Sequence, residues 1–214
     1  MYVKNFSNNL TQLAFGMEEI IKYDGNLYLA QNYLPTVQAN ALLSALLKQL
    51  DWQDESIRIY GKTILSPRRV CWYGDPDAIY TYSGIRHVPR PWPSLLMHLR
   101  EQLQLYTCRP FNAVLANLYR DNNDSMGWHA DKEKELGSKP FIASISLGES
   151  RTFKIRHNKT KETTSIELSN GSLILMCGDL QKYWQHSVPK RSRAKSSRIN
   201  LSFRFVYSED TTSS

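Results

Sequence analysis

The sequence predicts a mainly β chain of the α+β class, with two helices backing a carboxy-terminal double-sheet barrel. Three observations carry that expectation. Six short apolar stretches follow one another between residues 111 and 206, separated by turn residues at the spacing of sandwiches and jelly rolls. Two leucine-rich stretches with helical spacing lie ahead of them. At 214 residues the chain can bury a core of its own without disulfides, so a single domain is expected.

Residues 1–25 mix polar and apolar types without a strong period and are expected to form a loosely attached arm. Asn26–Ala30 (NLYLA) reads as a short strand that opens a domain over 26–207. Thr36 is then a candidate helix N-cap, followed by Ala39, Leu42, Leu43, Leu46, Leu47 and Leu50 on one helical face. Ile57–Gly61 (IRIYG) alternates, and its glycine suggests a hairpin or projecting loop. Prolines 91 and 93 punctuate the chain before a second helix from about Pro93 to Leu105, with Leu95, Leu96, Leu99 and Leu103 on one side. The six strand candidates are Ala113–Tyr119, Phe141–Leu147, Arg151–Ile155, Thr164–Leu168, Ser172–Met176 and Ile199–Val206. A polar tail over 208–214 closes the chain.

The net charge of +7 points to a polyanionic partner, nucleic acid first and an anionic membrane second, although the same charge also serves solubility. Cys71, Cys108 and Cys177 are odd in number and widely spaced, which argues against a disulfide framework and for a reducing compartment. The first ten residues lack the apolar run of a signal peptide, and no stretch approaches the roughly 20 apolar residues of a membrane span. An intracellular, soluble protein is expected, without membrane attachment.

The sharpest local motif is His129-x-Asp131. On an extended segment, residues two apart point to the same face, so one imidazole and one carboxylate can reach one cation together. His186 is the best candidate for a third ligand, and two histidines with one carboxylate on one face leave octahedral positions open, as non-haem iron(II) oxygenases require. Alone, the same set also fits a zinc hydrolase or a surface coincidence. His87, His98 and His157 lack a comparable partner and read as structural or solvent-facing. Arg198 and Arg204 lie six apart in one strand, on the face opposite Leu201, Phe203 and Phe205, and therefore point into the barrel. Buried guanidinium groups need anions, and a small dicarboxylate at the metal would satisfy one of them. An internal Arg–Asp network, or an exposed strand face, is the competing reading.

From residue 57 to 206 the motifs then accumulate in order: Pro67-Arg68-Arg69, Trp72 to Asp75, Tyr80 to Gly84, Phe111-Asn112, Asn117 to Asp121, His129 to Glu133, Ile142 to Ser146, His186 to Pro189 and Arg198 to Arg204. This run resembles the AlkB family of iron- and 2-oxoglutarate-dependent nucleic-acid dealkylases, most closely the branch of homologues two and three. The resemblance implies a double-stranded β-helix (jelly-roll) core over 111–206, N-terminal helices and a nucleotide-recognition hairpin region over 57–90. It also implies Fe(II), with 2-oxoglutarate and O2 as co-substrates. By position, His129, Asp131 and His186 match the iron ligands, while Asn117, Tyr119, Arg198, Ser202 and Arg204 match the 2-oxoglutarate pocket.

For the substrate, Tyr82 matches the aromatic that stacks on a flipped base, Tyr80 a hydrogen-bonding neighbour, and Glu133 a carboxylate at the same cavity. An aromatic face and a carboxylate edge favour 1-methyladenine and 3-methylcytosine, which are cations, over undamaged bases. Tyr60, with Ile59 beside it, stands at the finger position of a base-stack wedge, where the double-strand-preferring relative has phenylalanine. Lys190, Arg191, Arg193 and Lys195 match a basic loop that contacts duplex backbone, with Lys62, Arg68 and Arg69 extending that surface. A solvated charge run is the plainer reading of that loop. Lys154, Arg156, Lys159 and Lys161 read as general surface charge.

The implied reaction is oxidative demethylation of alkylated DNA, double- or single-stranded, by a monomer. It consumes O2 and 2-oxoglutarate and releases formaldehyde, succinate and CO2. The compartment would be cytoplasmic in a bacterium and nuclear in a eukaryote. The alternatives are an RNA demethylase or hydroxylase of the same family, a protein or small-molecule hydroxylase, and a non-catalytic nucleic-acid-binding module.

Overall fold

A computed structural model of the protein describes residues 16–59, 62–82, 85–192 and 196–208, with the side chains of 57–59, 62–63, 81–82 and 85–86 outside that description. Fourteen strands and three α-helices are present among the described residues. The strands are β1 (Glu18–Ile21), β2 (Asn26–Ala30), β3 (Gln53–Ile59), β4 (Lys62–Gly74), β5 (Tyr80–Tyr82), β6 (Ile85–His87), β7 (Ala113–Tyr119), β8 (Met126–His129), β9 (Ile142–Gly148), β10 (Arg151–His157), β11 (Thr163–Leu168), β12 (Leu173–Cys177), β13 (Trp184–Val188) and β14 (Arg198–Arg204). The helices are α1 (Thr36–Gln49), α2 (Ser94–Thr107) and the single turn α3 (Leu180–Tyr183).

Eight strands form one sheet in the order β1-β2-β12-β9-β14-β7-β4-β3, four form a second in the order β11-β10-β13-β8, and β5 and β6 make a separate ribbon. Alternation along each strand decides what lies on either face of the large sheet. Val114, Ala116 and Leu118 of β7, Ala143, Ile145 and Leu147 of β9, and Ile199, Leu201 and Phe203 of β14 join Ala39, Leu46, Leu96, Leu99 and Leu103 of α1 and α2 in one core. The two helices therefore back this sheet. A second core, with Ile142, Phe153, Ile155, Ile174, Met176 and Trp184, draws from both sheets and fills one end of the space between them. The rest of that space is polar, because the remaining face of β14 carries Arg198, Asn200, Ser202 and Arg204, all buried.

Three local expectations need correction. The proposed arm includes part of the sheet: β1 pairs antiparallel with β2, and Met17 and Ile21 are buried, so ordered structure begins ahead of residue 26. Residues 1–15 lie outside the described residues, as does the tail from 209 onward. Thr36 is not an N-cap. It is the first helical residue, and Pro35 occupies the cap without any side-chain bond. Its extended backbone and missing N–H suit the entry to a helix. The second helix likewise starts after Pro93 and runs two residues beyond Leu105, ending on Cys108 in the left-handed region (φ 51°). Among the described residues, no helix is long and apolar enough to cross a membrane.

Candidate metal centre and co-substrate pocket

The small sheet delivers two of the three metal-ligand candidates, and the segment after β8 the third. His129 ends β8 and pairs in register with His186 of β13, which brings their ring centroids to 4.2 Å. Asp131 follows two residues later, with its Oδ1 3.9 Å from His129 Nε2. One ligand atom from each of His129, Asp131 and His186 lies within 4.8 Å of the others. The Nδ1 of His129 is 2.9 Å from the Gly127 carbonyl, which fixes the ring and leaves Nε2 for a cation. The Asp131 backbone N–H donates to Gln181 Oε1 at 3.0 Å, tying the carboxylate's position to α3.

The electrostatics favour the ligating forms. Burial lowers the pKa of both histidines, His186 to about 3, so both imidazoles are neutral. Burial alone would raise the Asp131 carboxyl, but the opposing influences, led by the charge of Arg204, hold it below the usual carboxylate range. A set of two neutral imidazoles and one carboxylate with open positions suits iron(II).

Behind the triad lies the polar space between the sheets. Its lining includes Arg68, Asn117, Tyr119, Ser144, Arg198, Asn200, Ser202 and Arg204. Register explains the grouping: Asn200 of β14 stands opposite Asn117 of β7 and Ser146 of β9, and Ser202 opposite Leu115 and Ser144. Arg198 is fully enclosed, and its Nη2 donates to Ser146 Oγ at 2.8 Å. Its Nε and Nη1 are buried without a hydrogen-bond partner. Burial depresses its pKa. Unfilled N–H groups on a buried guanidinium are costly unless an anion completes them, and a carboxylate is the fitting acceptor. The residues present therefore fit 2-oxoglutarate, with Arg198 for its far carboxylate and Asn117, Tyr119 and Asn200 along its length. Arg204 is spent differently, since its Nη2 donates to Asp131 Oδ2 at 3.1 Å.

On the open side of the triad, Tyr80 is buried and stacks on Trp72 with centroids 5.0 Å apart, and its hydroxyl lies 3.5 Å from Arg204 Nη1. Glu133 is half-buried, and burial followed by the Asp131 charge raises its pKa. Its Oε2 has no hydrogen-bond partner. The backbone of Tyr82 sits in β5, while its side chain is outside the described residues.

The expected nucleic-acid contacts fare less evenly. Arg68 is not on the surface: it is 3% exposed, and its Nε donates to Asn117 Oδ1 at 2.8 Å and its Nη1 to Ser66 Oγ at 2.9 Å. Strand alternation turns Arg68 inward and Arg69 outward, where Arg69 pairs with Asp54 directly opposite. Arg191 is anchored within the protein, donating to the Ser150 carbonyl and lying 3.7 Å from Glu167. Lys190 is exposed. Tyr60, Arg193 and Lys195, and the side chains of Ile59 and Lys62, lie outside the described residues. Asn200, Ser144, Ser146 and Gln181 went unnoticed in the sequence, although Asn200 sits between Arg198 and Arg204 at the alternation that marked both arginines.

Comparison with known proteins agrees with this geometry. Residues 26–204 match the model of the 2OG-Fe(II) oxygenase superfamily. The chain is 36% identical over 202 residues to alpha-ketoglutarate-dependent dioxygenase alkB homolog 3 of Mus musculus, covering 90% of this chain and 68% of that protein. Against DNA oxidative demethylase ALKBH2 of Homo sapiens the identity is 33% over 180 residues, covering 79% of this chain and 69% of that protein. The solved structure of OsALKBH1 superposes with a TM-score of 0.58 at 18% identity, covering 83% of this chain and 97% of that chain, a likeness of fold. The double sheet is thus the jelly roll of these oxygenases, and the chain belongs to the 2OG-Fe(II) oxygenase superfamily, in the AlkB branch that holds homologues 2 and 3.

Proposed function

We propose that this protein repairs DNA by oxidative demethylation of N-alkylated bases, with 1-methyladenine and 3-methylcytosine as the lesions. The observation that carries the choice of base is Glu133. Its Oε2 is buried without a hydrogen-bond partner, two residues beyond the ligand Asp131. A carboxyl oxygen in that state takes a hydrogen-bond donor, most strongly a cationic one, and these two methylated bases are cations where their undamaged parents are neutral. The names of the relatives, alkB homolog 3 and DNA oxidative demethylase, support the same reading.

When bound, iron with 2-oxoglutarate and O2 would supply the oxidising power that hydroxylates the N-methyl group, whose product releases formaldehyde, with succinate and CO2 as co-products. The chain's own residues do the rest. His129, Asp131 and His186 would hold the metal, and Arg198 with Asn117 and Tyr119 would orient the co-substrate. Arg204 binds one Asp131 oxygen and leaves the other on the side of His129. Tyr80 and Glu133 border the base, and Tyr82 is assigned the stacking face. Tyr60 is assigned the duplex wedge.

The test is incubation of purified protein with iron(II), 2-oxoglutarate and methylated single-stranded DNA, duplex DNA and RNA, read by mass spectrometry. Loss of 14 mass units from the DNA substrates is expected. Demethylation of RNA alone would move the protein to the RNA reading, and no loss from any strand would refute the proposal.

A further inference from the structure

The outer face of the four-stranded sheet carries a group that the metal centre does not use. Neighbouring strand residues point to opposite faces, and where His129 turns inward, Trp128 turns out. Trp128 remains 38% exposed, and the Arg156 guanidinium lies 4.3 Å from its ring centroid. Arg156 is on β10, in register with Gln185 of β13 and Thr163 of β11. The pair therefore reaches across β13 from the edge strand β8 to the middle of the sheet.

A single exposed aromatic is ordinary on a protein surface. Its surroundings make this one specific. Arg156 and Lys154, two apart on the outward side of β10, form no ion pair among the described residues. Trp128 is thus backed by an aromatic-stacked cation, with a second unpaired cation, Lys154, two residues away on the same strand as Arg156. A protein partner would seek an apolar patch; an aromatic face beside unpaired cations suits a base linked to phosphate.

We propose that Trp128, backed by Arg156, is a stacking subsite for the nucleobase next to the one held at the metal, with Arg156 and Lys154 facing the phosphates. The inference rests on the nucleic-acid substrate proposed above and states where the neighbouring nucleotide of a single strand goes. Because β8 is an edge strand, a polynucleotide can pass round it from the inner face to the outer one.

The experiment is equilibrium binding by fluorescence anisotropy, under anaerobic conditions with iron and 2-oxoglutarate present. The probes are labelled single strands of one, three and five nucleotides, each with one 1-methyladenine. The wild-type protein should bind the five-nucleotide strand more tightly than the single nucleotide. W128A should lose about tenfold of that gain, W128F should keep most of it, and R156Q should lose part of it with a flatter salt dependence. Full retention of the gain in W128A overturns the subsite, and so does a W128F variant as weak as W128A, which would mean that the indole only packs. Failure of the wild-type protein to bind or demethylate any of these strands would instead remove the nucleic-acid reading beneath it.

Discussion

Arg204 and Asp131 form a buried ion pair, Nη2 to Oδ2 at 3.1 Å, that leaves the other carboxylate oxygen 3.9 Å from His129 Nε2. The arginine neutralises the carboxylate that a metal must share, and it fixes which oxygen turns toward the two imidazoles. Asp131→Ala should abolish turnover while single-stranded DNA binding survives, checked by succinate release and anisotropy on the same preparation. Arg204→Gln should keep the metal but lower affinity or activity by roughly 10- to 100-fold, the usual cost of losing a group that orients a ligand.

Arg198 tests the co-substrate assignment. With Nε and Nη1 unsatisfied and Nη2 on Ser146, it has N–H groups left for a carboxylate. A hydrogen bond to a charged group contributes about 1.5–3 kcal/mol. Arg198→Gln should therefore raise the KM for 2-oxoglutarate by roughly 10- to 100-fold. An unchanged KM would mean that the guanidinium serves the fold alone.

How far the sequence reached is clearest on two strands. On β14 the period of two was enough: Arg198 and Arg204 face the pocket, while Leu201 and Phe203 face the helices. On β4 the same rule separates Arg68, buried, from Arg69, which pairs with Asp54 on the surface, although their adjacency in sequence suggests one basic patch. Arg191 escaped for a different reason. Its partners, Ser150 and Glu167, are distant in sequence, and only the tertiary arrangement of β10, β11 and the loop after β13 brings them together. The triad was legible because His129 and Asp131 share a local spacing, whereas Gln181 touches Asp131 across fifty positions.

Gln181 supplies the third prediction. Its Oε1 accepts the Asp131 N–H in a buried site, and its Nε2 lies 3.5 Å from Met176 Sδ. Gln181→Leu keeps much of the volume but leaves that N–H unsatisfied, which costs about 1–3 kcal/mol. The backbone carrying Asp131 would shift to recover a partner. Metal affinity should fall by roughly tenfold or more, measured by metal titration, with a smaller change in 2-oxoglutarate affinity once metal is saturating.

The cysteines give a pH-dependent prediction. Burial pushes the thiols of Cys71 and Cys177 up to about 12, while Cys108 is exposed at the end of α2. A raised thiol pKa keeps the group protonated at pH 8, and only the thiolate reacts. One thiol of three should react with Ellman's reagent in the native protein at pH 8, and all three after denaturation. Cys108→Ser should remove the native signal, and fast labelling of a second thiol would contradict the burial of β4 or β12.

Glu133 decides between a site for cationic bases and one for methylated bases in general. Its carboxyl stands two residues beyond the metal-ligand candidate Asp131, and its Oε2 is buried without a hydrogen-bond partner. Glu133→Gln preserves the shape and one acceptor oxygen while removing the negative charge. For a cationic base such as 3-methylcytosine this forfeits a charge-assisted contact of about 1.5–3 kcal/mol, so kcat/KM should fall by roughly 10- to 100-fold. For 3-methylthymine, which is neutral, the same substitution removes little attraction and relieves the cost of burying a carboxylate beside an uncharged ring. The ratio of the two rates, measured in identical single-stranded oligonucleotides, should therefore shift toward 3-methylthymine by most of that factor. Equal losses on both bases would show that Glu133 supports the loop after Asp131 without reading the charge of the substrate.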